Sequence, residues 1–415
     1  MIPRSLRPSL DGLPRSATLA INERSAQLQA EGRDVYRFGL GQSPFPVPDH
    51  VVASLRAHAH EKDYLPVEGL AGLRRAVLDF HRRVDGLDLA HVLVGPGSKE
   101  LMFLLQLAYA GELVLPSPCW VSYGPQARIL GRGQRSVPTS WEGRWRLTAD
   151  ALDAFCAERP GRPRVLLLNY PGNPDGLTYT ADELAALAAI ARKHGMIVVS
   201  DEIYAPLHHT GDHVSIGRYY PEGTIVSGGL SKWCGAGGWR LGTFAFPDEL
   251  TWLKDALAVA ASETFTSVSA PVQHAAVTAF SEVDEIHLDD SRRVLRSLAR
   301  SIERRLRASG ARLHDLEGAF YLFADLSRCD GAQEHPGSRE LCEALLQDTG
   351  VAILPGADFS RPDDELSVRL AYVDFDGAAA LEIAARHAGE LPEQVLAPVT
   401  GRLLQGVDAM AEWLS

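Results

Sequence analysis

Short apolar runs of β-strand character alternate with helical patterns through the middle of the chain, and this alternation most limits how the chain can fold. A strand, a helix-length segment and another strand favour parallel pairing through a crossover helix. Both faces of such a sheet are covered, so its strands are apolar throughout. We therefore predict an α/β fold with a mostly parallel sheet. The runs are HVLVG around Val92, ELVLP around Val114, VLLLN around Leu167, MIVVSD around Val198, TIVSG around Val226 and TFAFP around Phe244.

One crossover unit is predicted in detail. Thr180 and Glu183 have the spacing of a capping box, which marks the start of a helix. Gly195 ends that helix just before a strand at 197–199. The apolar residues between them fall on one helical face, as expected of a helix packed on a sheet. They are Leu184, Leu187, Ala188 and Ala191.

The pattern changes at about residue 291, where an Arg-rich amphipathic helix precedes shorter strands near 320–323 and 367–370. This change predicts a second, smaller domain built mainly from the C-terminal part. We interpret the arginine run as a solvated helix face rather than an anion site. Residues 399–414 are predicted to form a terminal amphipathic helix.

Charge and cysteine content exclude several classes of protein. The 415 residues include 41 basic and 53 acidic side chains, a net charge of −12 that repels nucleic acid and anionic lipid. Five widely spaced cysteines, without a Cys-x-x-Cys pair, indicate a reducing compartment and no structural zinc site. No apolar run is long enough to span a membrane. We expect a cytoplasmic enzyme.

No metal site is predicted. His208, His209 and His213 cluster after SDEIYAPL, but no carboxylate-bearing metal motif accompanies them. We expect these three side chains on a solvated loop.

The strongest chemical signal is SGGLSKWCGAGGWRLG, which follows a predicted strand and carries Lys232, with Arg240 eight residues later. Its glycines let the backbone approach a bulky ligand. Upstream, NYPGNPDG carries Asn173, and SDEIY places Asp201 at the end of a predicted strand, with Tyr204 three residues on. Ligands of open α/β sheets bind at such strand ends.

The order Asn-Pro-x-Gly, Asp-x-x-Tyr, then Ser-Lys with Arg eight residues later resembles the class I/II aminotransferases. These aspartate-aminotransferase-like proteins are fold type I enzymes that use pyridoxal 5'-phosphate. The resemblance extends from about residue 16 to about 386. Other pieces in the family's order are SATLAINERSAQLQAEG, LGQSPFPVP, YLPVEGLAGLRRAV, VGPGSKELM, PSPCWVSY and SVRLAY.

The resemblance implies a PLP-dependent transferase fold of type I: a mostly parallel seven-stranded sheet covered by helices, plus a smaller α+β domain. It divides the chain into an N-terminal arm with part of the small domain (1–48), a large PLP-binding domain (49–290) and a C-terminal small domain with the terminal helix (291–415). It also implies a homodimer with shared active sites.

The resemblance assigns the chemistry at the cofactor ring to four residues. Lys232 forms the Schiff base with the cofactor aldehyde and then moves a proton. Asp201 pairs with the pyridine nitrogen, so that the ring can accept an electron pair. Asn173 and Tyr204 donate to the ring's phenolic oxygen. The plain alternatives are a strand-end carboxylate or helix cap for Asp201 and a turn residue for Asn173.

Phosphate binding is assigned to a Gly-Pro-Gly turn and the helix start after it. The backbone N–H groups of Ser98 and Lys99 point at the dianion there, and Ser231 and Arg240 complete the site. The sequence departs from one family pattern, because the position three before the lysine, often a phosphate-binding serine, is Gly229.

Two aromatic residues also match cofactor contacts of the family. Trp120 stacks on the cofactor ring, and its alternative is a core tryptophan. Tyr64 reaches the cofactor phosphate of the opposite subunit, and its alternative is an ordinary surface tyrosine.

Substrate binding is assigned to Gly41, Asn173 and Arg369, the last as the fork that holds the α-carboxylate. In some relatives, a lysine at the position of Lys99 reaches the distal carboxylate of a dicarboxylic substrate. The alternative is that only the backbone of Lys99 matters.

The expected function is ping-pong transfer of an amino group between an amino acid and a 2-oxo acid. One alternative is another reaction on the same scaffold, that of a lyase, decarboxylase, oxidase or cyclase. The other is a non-enzymatic PLP-binding regulatory module.

Overall fold

The computed structural model of the protein describes residues 5–415. Its largest sheet lies in the middle of the chain, where the apolar runs predict it. In chain order the strands are β1 (Tyr36–Arg37), β2 (His91–Gly95), β3 (Glu112–Ser117), β4 (Gln134–Pro138), β5 (Arg164–Asn169), β6 (Ile197–Asp201), β7 (Thr224–Gly229), β8 (Gly242–Phe246), β9 (Tyr321–Asp325), β10 (Val351–Ala352), β11 (Leu354–Pro355) and β12 (Ser367–Ala371).

The central sheet has seven strands in the spatial order β2, β8, β7, β6, β5, β3, β4. Strand β8 is antiparallel to both of its neighbours, and all the other strands run in one common direction. The prediction of a mostly parallel sheet is confirmed. The six predicted runs coincide with β2, β3, β5, β6, β7 and β8.

The edge strand β4 was not predicted. Its sequence, QRSVP, contains one buried residue, Val137, among polar and exposed ones. Most of the remaining residues of β4 are polar, so it lacks the continuous apolar run that marks the other strands, including β2 at the opposite edge, where Val92 to Gly95 are buried.

Helices cover the sheet on both faces, and side chains of β5 alternate between them. Val165 and Leu167 pack into the apolar cluster of one face, while Leu166 and Leu168 pack into the cluster of the other. Each fully buried leucine stabilises the fold by about 2 kcal/mol. The alternation explains why a fully apolar run marks a central strand.

The predicted crossover unit is confirmed as α7. The Thr180 side chain accepts from the Glu183 backbone N–H, and the Glu183 side chain accepts from the Thr180 N–H. The helices are α1 (Ala17–Ala30), α2 (Asp49–Ala57), α3 (Ala71–Asp85), α4 (Ser98–Ala108), α5 (Tyr123–Ile129), α6 (Ala149–Ala157), α7 (Ala181–Lys193), α8 (Thr251–Ser262), α9 (Ala270–Ser281), α10 (Glu285–Ala308), α11 (Asp330–Gln333), α12 (Ser338–Thr349), α13 (Gly377–Ala385) and α14 (Glu393–Leu414).

The C-terminal part contributes a smaller antiparallel sheet in the order β11, β12, β9. Strand β1 pairs in parallel with β10, which joins the N-terminal segment to this part of the chain. The terminal helix α14 begins at Glu393, earlier than predicted, and contains Pro398. The division at residues 48 and 290 stays a prediction. Within residues 5–415, no helix combines the length and apolar character that a membrane crossing requires.

Candidate active site

The predicted site residues meet at one edge of the central sheet because of the strand directions. Strands β5 and β6 end side by side, with Asn169 in register with Asp201, and β7 ends at Gly229, three residues before Lys232. Strand β8 runs the opposite way, so its amino end lies at the same edge. Arg240, two residues before β8, is thereby brought to the site.

A cavity of about 290 Å³ lies at this edge, comparable with small-ligand sites. All the predicted site residues except Tyr64 line it. They are Gly41, Ser98, Lys99, Trp120, Asn173, Asp201, Tyr204, Ser231, Lys232, Arg240 and Arg369.

Further lining residues were not predicted. Asn169 ends a predicted strand beside Asp201, and Tyr321 lies in the predicted strand near 320–323. Their positions in these strands are the only sequence signal that could have marked them as site residues. The others have no chemical signature in the sequence. They are Thr18, Leu19, Leu40 and Ile203.

The Asp201 carboxylate is only 4% exposed and is held by two hydroxyl groups. Tyr123 Oη donates to its Oδ2 at 2.6 Å, and Ser227 Oγ donates to its Oδ1 at 3.2 Å. Burial raises the pKa of Asp201 to about 6, although these bonds and a backbone bond at Ile203 act in the opposite direction. Tyr123 lies in the motif PSPCWVSY, but its contact with Asp201 was not predicted.

The Lys232 ammonium is held by a backbone carbonyl. Its Nζ donates to the Gly41 oxygen at 2.7 Å and lies 5.4 Å from the centre of the Tyr204 ring. Tyr204 is 3% exposed, and its hydroxyl lies 2.8 Å from that of Tyr321. The amine and the phenol therefore face one region of the cavity.

A glycine-lined turn meets the start of α4 at the predicted phosphate site. Helix α4 begins at Ser98, after Gly97 with a φ of 96°. A Cβ at Gly97 would collide with the Arg240 guanidinium, and one at Gly242 would collide with the Ser98 nitrogen. The free N–H groups of the helix start and the Arg240 cation thus lie together, an arrangement that suits an anion.

The departure at Gly229 has a steric cause. Its φ is 147°, and a Cβ there would lie 2.7 Å from the Leu241 carbonyl oxygen and 2.9 Å from the Gly242 Cα. These atoms belong to backbone next to the β7–β8 pairing, so they cannot move aside as a flexible side chain would. A serine does not fit this backbone.

Arg369 is fully buried without an acidic partner. Its exposure is 0%, and within residues 5–415 it pairs with no carboxylate. Its Nη2 donates to the Gly39 carbonyl, its Nη1 lies 3.5 Å from Asn173 Oδ1, and its Nε has no partner in the described chain. Burial lowers the pKa of Arg369. A buried guanidinium in this state suits an anionic ligand.

Lys99 adds a further cation near the mouth of the cavity. Its Nζ lies 5.1 Å from the centre of the Trp120 ring, within the range of a cation–π contact. Burial lowers the pKa of Lys99, and the positive charges of Arg240 and Lys232 lower it further. A bound anion here relieves this repulsion.

Tyr64 lies outside the cavity, on the segment between α2 and α3, and is 89% exposed. Such exposure is unusual for a large aromatic side chain, and the contact predicted for it belongs to a second chain. Its role stays a prediction.

The expectation of solvated histidines is wrong. His208, His209 and His213 are at most 9% exposed. The backbone N–H of His209 donates to the Glu317 carbonyl, and His213 Nε2 lies 3.0 Å from Glu202 Oε2. The chain preceding β9 packs over the segment after β6 and buries it. The polar residues of that segment give no sign of this burial in the sequence. Burial lowers the pKa of His208 and His209 to about 4.

A family model described as aminotransferase class I and II matches residues 33–378. The chain belongs to this family. It is 33% identical over 384 residues to the aspartate aminotransferase of Geobacillus stearothermophilus, covering 87% of this chain and 92% of that protein. It is 30% identical to the asparagine--oxo-acid transaminase of Streptococcus mutans, with coverage of 87% and 92%.

Solved structures agree with this assignment. The aspartate aminotransferase from Thermus thermophilus with maleate superposes with a TM-score of 0.85 at 28% identity, covering 99% of this chain and 100% of that one. The aspartate aminotransferase from Rhizobium meliloti has a TM-score of 0.84 at 25% identity, with full coverage of both chains. The predictions of a type I fold and an aminotransferase are confirmed. The protein is a transaminase enzyme rather than a regulatory module.

Proposed function

We propose that this aminotransferase binds pyridoxal 5'-phosphate in the cavity and moves an amino group between an acidic L-amino acid and a 2-oxo acid, in the two half-reactions of a ping-pong cycle. The charge of the cavity is the main support. Asp201 is the one carboxylate among its lining residues, against four cations, Lys99, Lys232, Arg240 and Arg369. Like charges in a confined site are costly without counter-ions, so the cavity suits ligands that carry several anionic groups.

The residues present fit the polar groups of the cofactor. Asp201 suits the ring nitrogen, since a cation beside this buried carboxylate restores its ionised form. The N–H groups at the start of α4, with Ser231 and Arg240, suit the phosphate. Asn173 and Tyr204 are proposed to donate to the ring oxygen, and Trp120 to pack on the ring. When bound, the cofactor supplies an aldehyde that takes up amines and a ring that accepts the electron pair released at Cα.

Lys232 is proposed to hold the cofactor and to carry the proton. Its Nζ is the one amine near the cavity wall formed by Tyr204 and Gly41. With the cofactor and substrate bound, Nζ would accept the proton released at the substrate Cα and would donate it again to the neighbouring cofactor carbon. The Gly41 carbonyl holds the amine while it is protonated.

Arg369 and Lys99 are proposed to bind the two ends of an acidic substrate. Arg369 is a buried, rigid fork that fits the α-carboxylate, with Asn173 and Gly41 beside it. The cofactor phosphate pairs with Arg240 and the substrate α-carboxylate with Arg369 in this proposal, so Lys99 is left without an anionic partner. This favours a substrate that carries a second, distal carboxylate. The relative from Thermus thermophilus was solved with maleate, a dicarboxylate.

A screen of amino acids for the first half-reaction tests the proposal. Aspartate and glutamate should convert the bound cofactor to its amino form faster than neutral amino acids do. Lys99→Ala should lower kcat/KM for acidic amino acids about tenfold more than for neutral ones, because one charged contact is lost. Lys193→Ala, which removes an exposed lysine of α7, is the matched control. An equal loss for acidic and neutral substrates would refute the dicarboxylic substrate.

The proposed active form is a homodimer in the cytoplasm. The exposed Tyr64 supports a shared active site, because a partner chain gives this aromatic ring a place to bind. All five cysteines are buried and unpaired, which supports a reducing compartment.

A further inference from the structure

Two buried phenols form a hydrogen-bonded pair on the cavity wall. The Tyr204 and Tyr321 hydroxyl oxygens lie 2.8 Å apart, and Tyr321 Oη lies 3.4 Å from the Gly41 carbonyl oxygen. Tyr321 is 1% exposed. A Cβ at residue 41 would collide with the Tyr321 hydroxyl, so Gly41 provides the space for this group.

Counting hydrogens gives this pair a direction. The 3.4 Å distance from Tyr321 Oη to the Gly41 oxygen is long for a hydroxyl donor. The 2.8 Å distance to Tyr204 is ordinary for such a donor. The Tyr321 hydroxyl is therefore the donor of this bond, and the Tyr204 oxygen is the acceptor. The single hydrogen of Tyr204 is then left for an acceptor in the cavity.

We propose that Tyr321 is a positioning residue whose hydroxyl donates to Tyr204 and so directs the Tyr204 hydrogen into the cavity. This inference rests on the proposed binding of pyridoxal 5'-phosphate, whose ring oxygen is the acceptor. A hydroxyl that accepts a hydrogen bond becomes a stronger donor. Tyr321 thus acts on the cofactor only through Tyr204.

The consequence is spectroscopic. Donation from Tyr204 stabilises the negative charge of the ring oxygen, so the lysine-linked cofactor loses its proton at lower pH. Without the Tyr321 hydroxyl this donation weakens, and the cofactor keeps its proton to higher pH. Tyr321→Phe is the suitable change, because it keeps the ring that lies 4.9 Å from the Arg369 guanidinium.

The experiment is an absorbance titration of the bound cofactor in the dimeric holoenzyme. Tyr321→Phe should raise the midpoint by about half a pH unit. Tyr372→Phe is the matched control, since it also removes a fully buried hydroxyl, one that donates to the Ala319 carbonyl, but does not line the cavity. It should leave the midpoint unchanged. An unchanged midpoint in Tyr321→Phe, or equal shifts in both variants, would overturn the inference.

A double-mutant cycle tests the route through Tyr204. In a Tyr204→Phe background, adding Tyr321→Phe should cause no further shift. The same shift in both backgrounds would show that Tyr321 acts on the cofactor independently and would overturn the inference.

Failure of the proposed function has a different signature. A wild-type protein without a titrating cofactor band, or a band that persists in Lys232→Ala, would contradict the cofactor assignment itself. A normal wild-type titration that Tyr321→Phe leaves unchanged contradicts only the role of Tyr321.

Discussion

Replacing Asp201 by Asn is expected to stabilise the cofactor-free enzyme at neutral and alkaline pH. Burial raises the pKa of this carboxyl from 3.8 to about 6. A carboxyl whose pKa is raised on folding stabilises the folded state fully below its unfolded pKa. That contribution is lost as the pH rises from about 4 through about 6. Above this window, the buried charge destabilises the cofactor-free protein.

The magnitude follows from the two pKa values. A rise from 3.8 to about 6 is about 2 pH units, each worth 1.36 kcal/mol, so the charge costs about 3 kcal/mol above pH 7. Asparagine presents one oxygen to the two donors Tyr123 and Ser227, so one hydrogen bond worth about 1 kcal/mol is lost. The net gain is about 2 kcal/mol. With an unfolding entropy of about 2.1 cal/mol/K per residue, Tm should rise by about 2 °C.

Thermal unfolding of the cofactor-free proteins between pH 4.5 and 8 measures this effect. The Tm advantage of Asp201→Asn should grow with pH and level off above pH 7. Asp364→Asn, at an exposed loop position, is the control and should give no such trend. A pH-independent difference, or a lower Tm than wild type at pH 8, would refute the reasoning. The same variant should bind the cofactor more weakly, since the charge proposed to pair with the ring nitrogen is gone.

Lys232→Ala should abolish turnover but leave the Tm of the cofactor-free protein within a few degrees of wild type. Activity and thermal unfolding assays measure these two effects, and wild-type turnover in the variant would disprove the assignment of Lys232. Lys232→Ala and Tyr64→Ala chains should each be defective alone, but a mixed dimer should regain wild-type cofactor affinity at one of its two sites. Co-expression of differently tagged chains allows the mixed dimer to be purified and its cofactor affinity to be measured. A mixed dimer without a site of wild-type affinity would show that Tyr64 does not contribute to the partner's cavity. Gly229→Ser should lower Tm by several degrees, because its positive φ and the nearby Leu241 carbonyl leave no room for a Cβ; an unchanged Tm would contradict that packing.

The central sheet was predictable because its strands are apolar on both faces. Val165 and Leu167 belong to one cluster and Leu166 and Leu168 to the other, so the whole run is apolar. Strand β4 carries no such signal, since its outer edge and much of its surface are exposed. An edge position alone does not remove the signal, because β2 at the opposite edge is buried from Val92 to Gly95 and its apolar run was predicted.

Local motifs also placed most of the site, because strand ends and a glycine-rich turn bring their residues together through topology. Contacts between distant segments were not predictable in this way. Tyr123 and Asp201 are 78 positions apart, and Tyr204 and Tyr321 are 117 positions apart. The prediction that His209 is solvated was wrong for the same reason, because the residues that bury it, 316–319, are distant in the sequence.

The cavity holds charges of both signs that do not pair with one another. Asp201 is buried among neutral hydroxyl donors, while Arg369 is buried against carbonyl groups and aromatic rings. Each burial costs free energy in the empty protein, and a ligand with a protonated ring and two or more anionic groups removes both costs at once. The proposed cofactor and an acidic substrate analogue should therefore raise Tm together by more than either alone, through binding linkage. The residues that make the empty cavity costly are the ones that select its ligands.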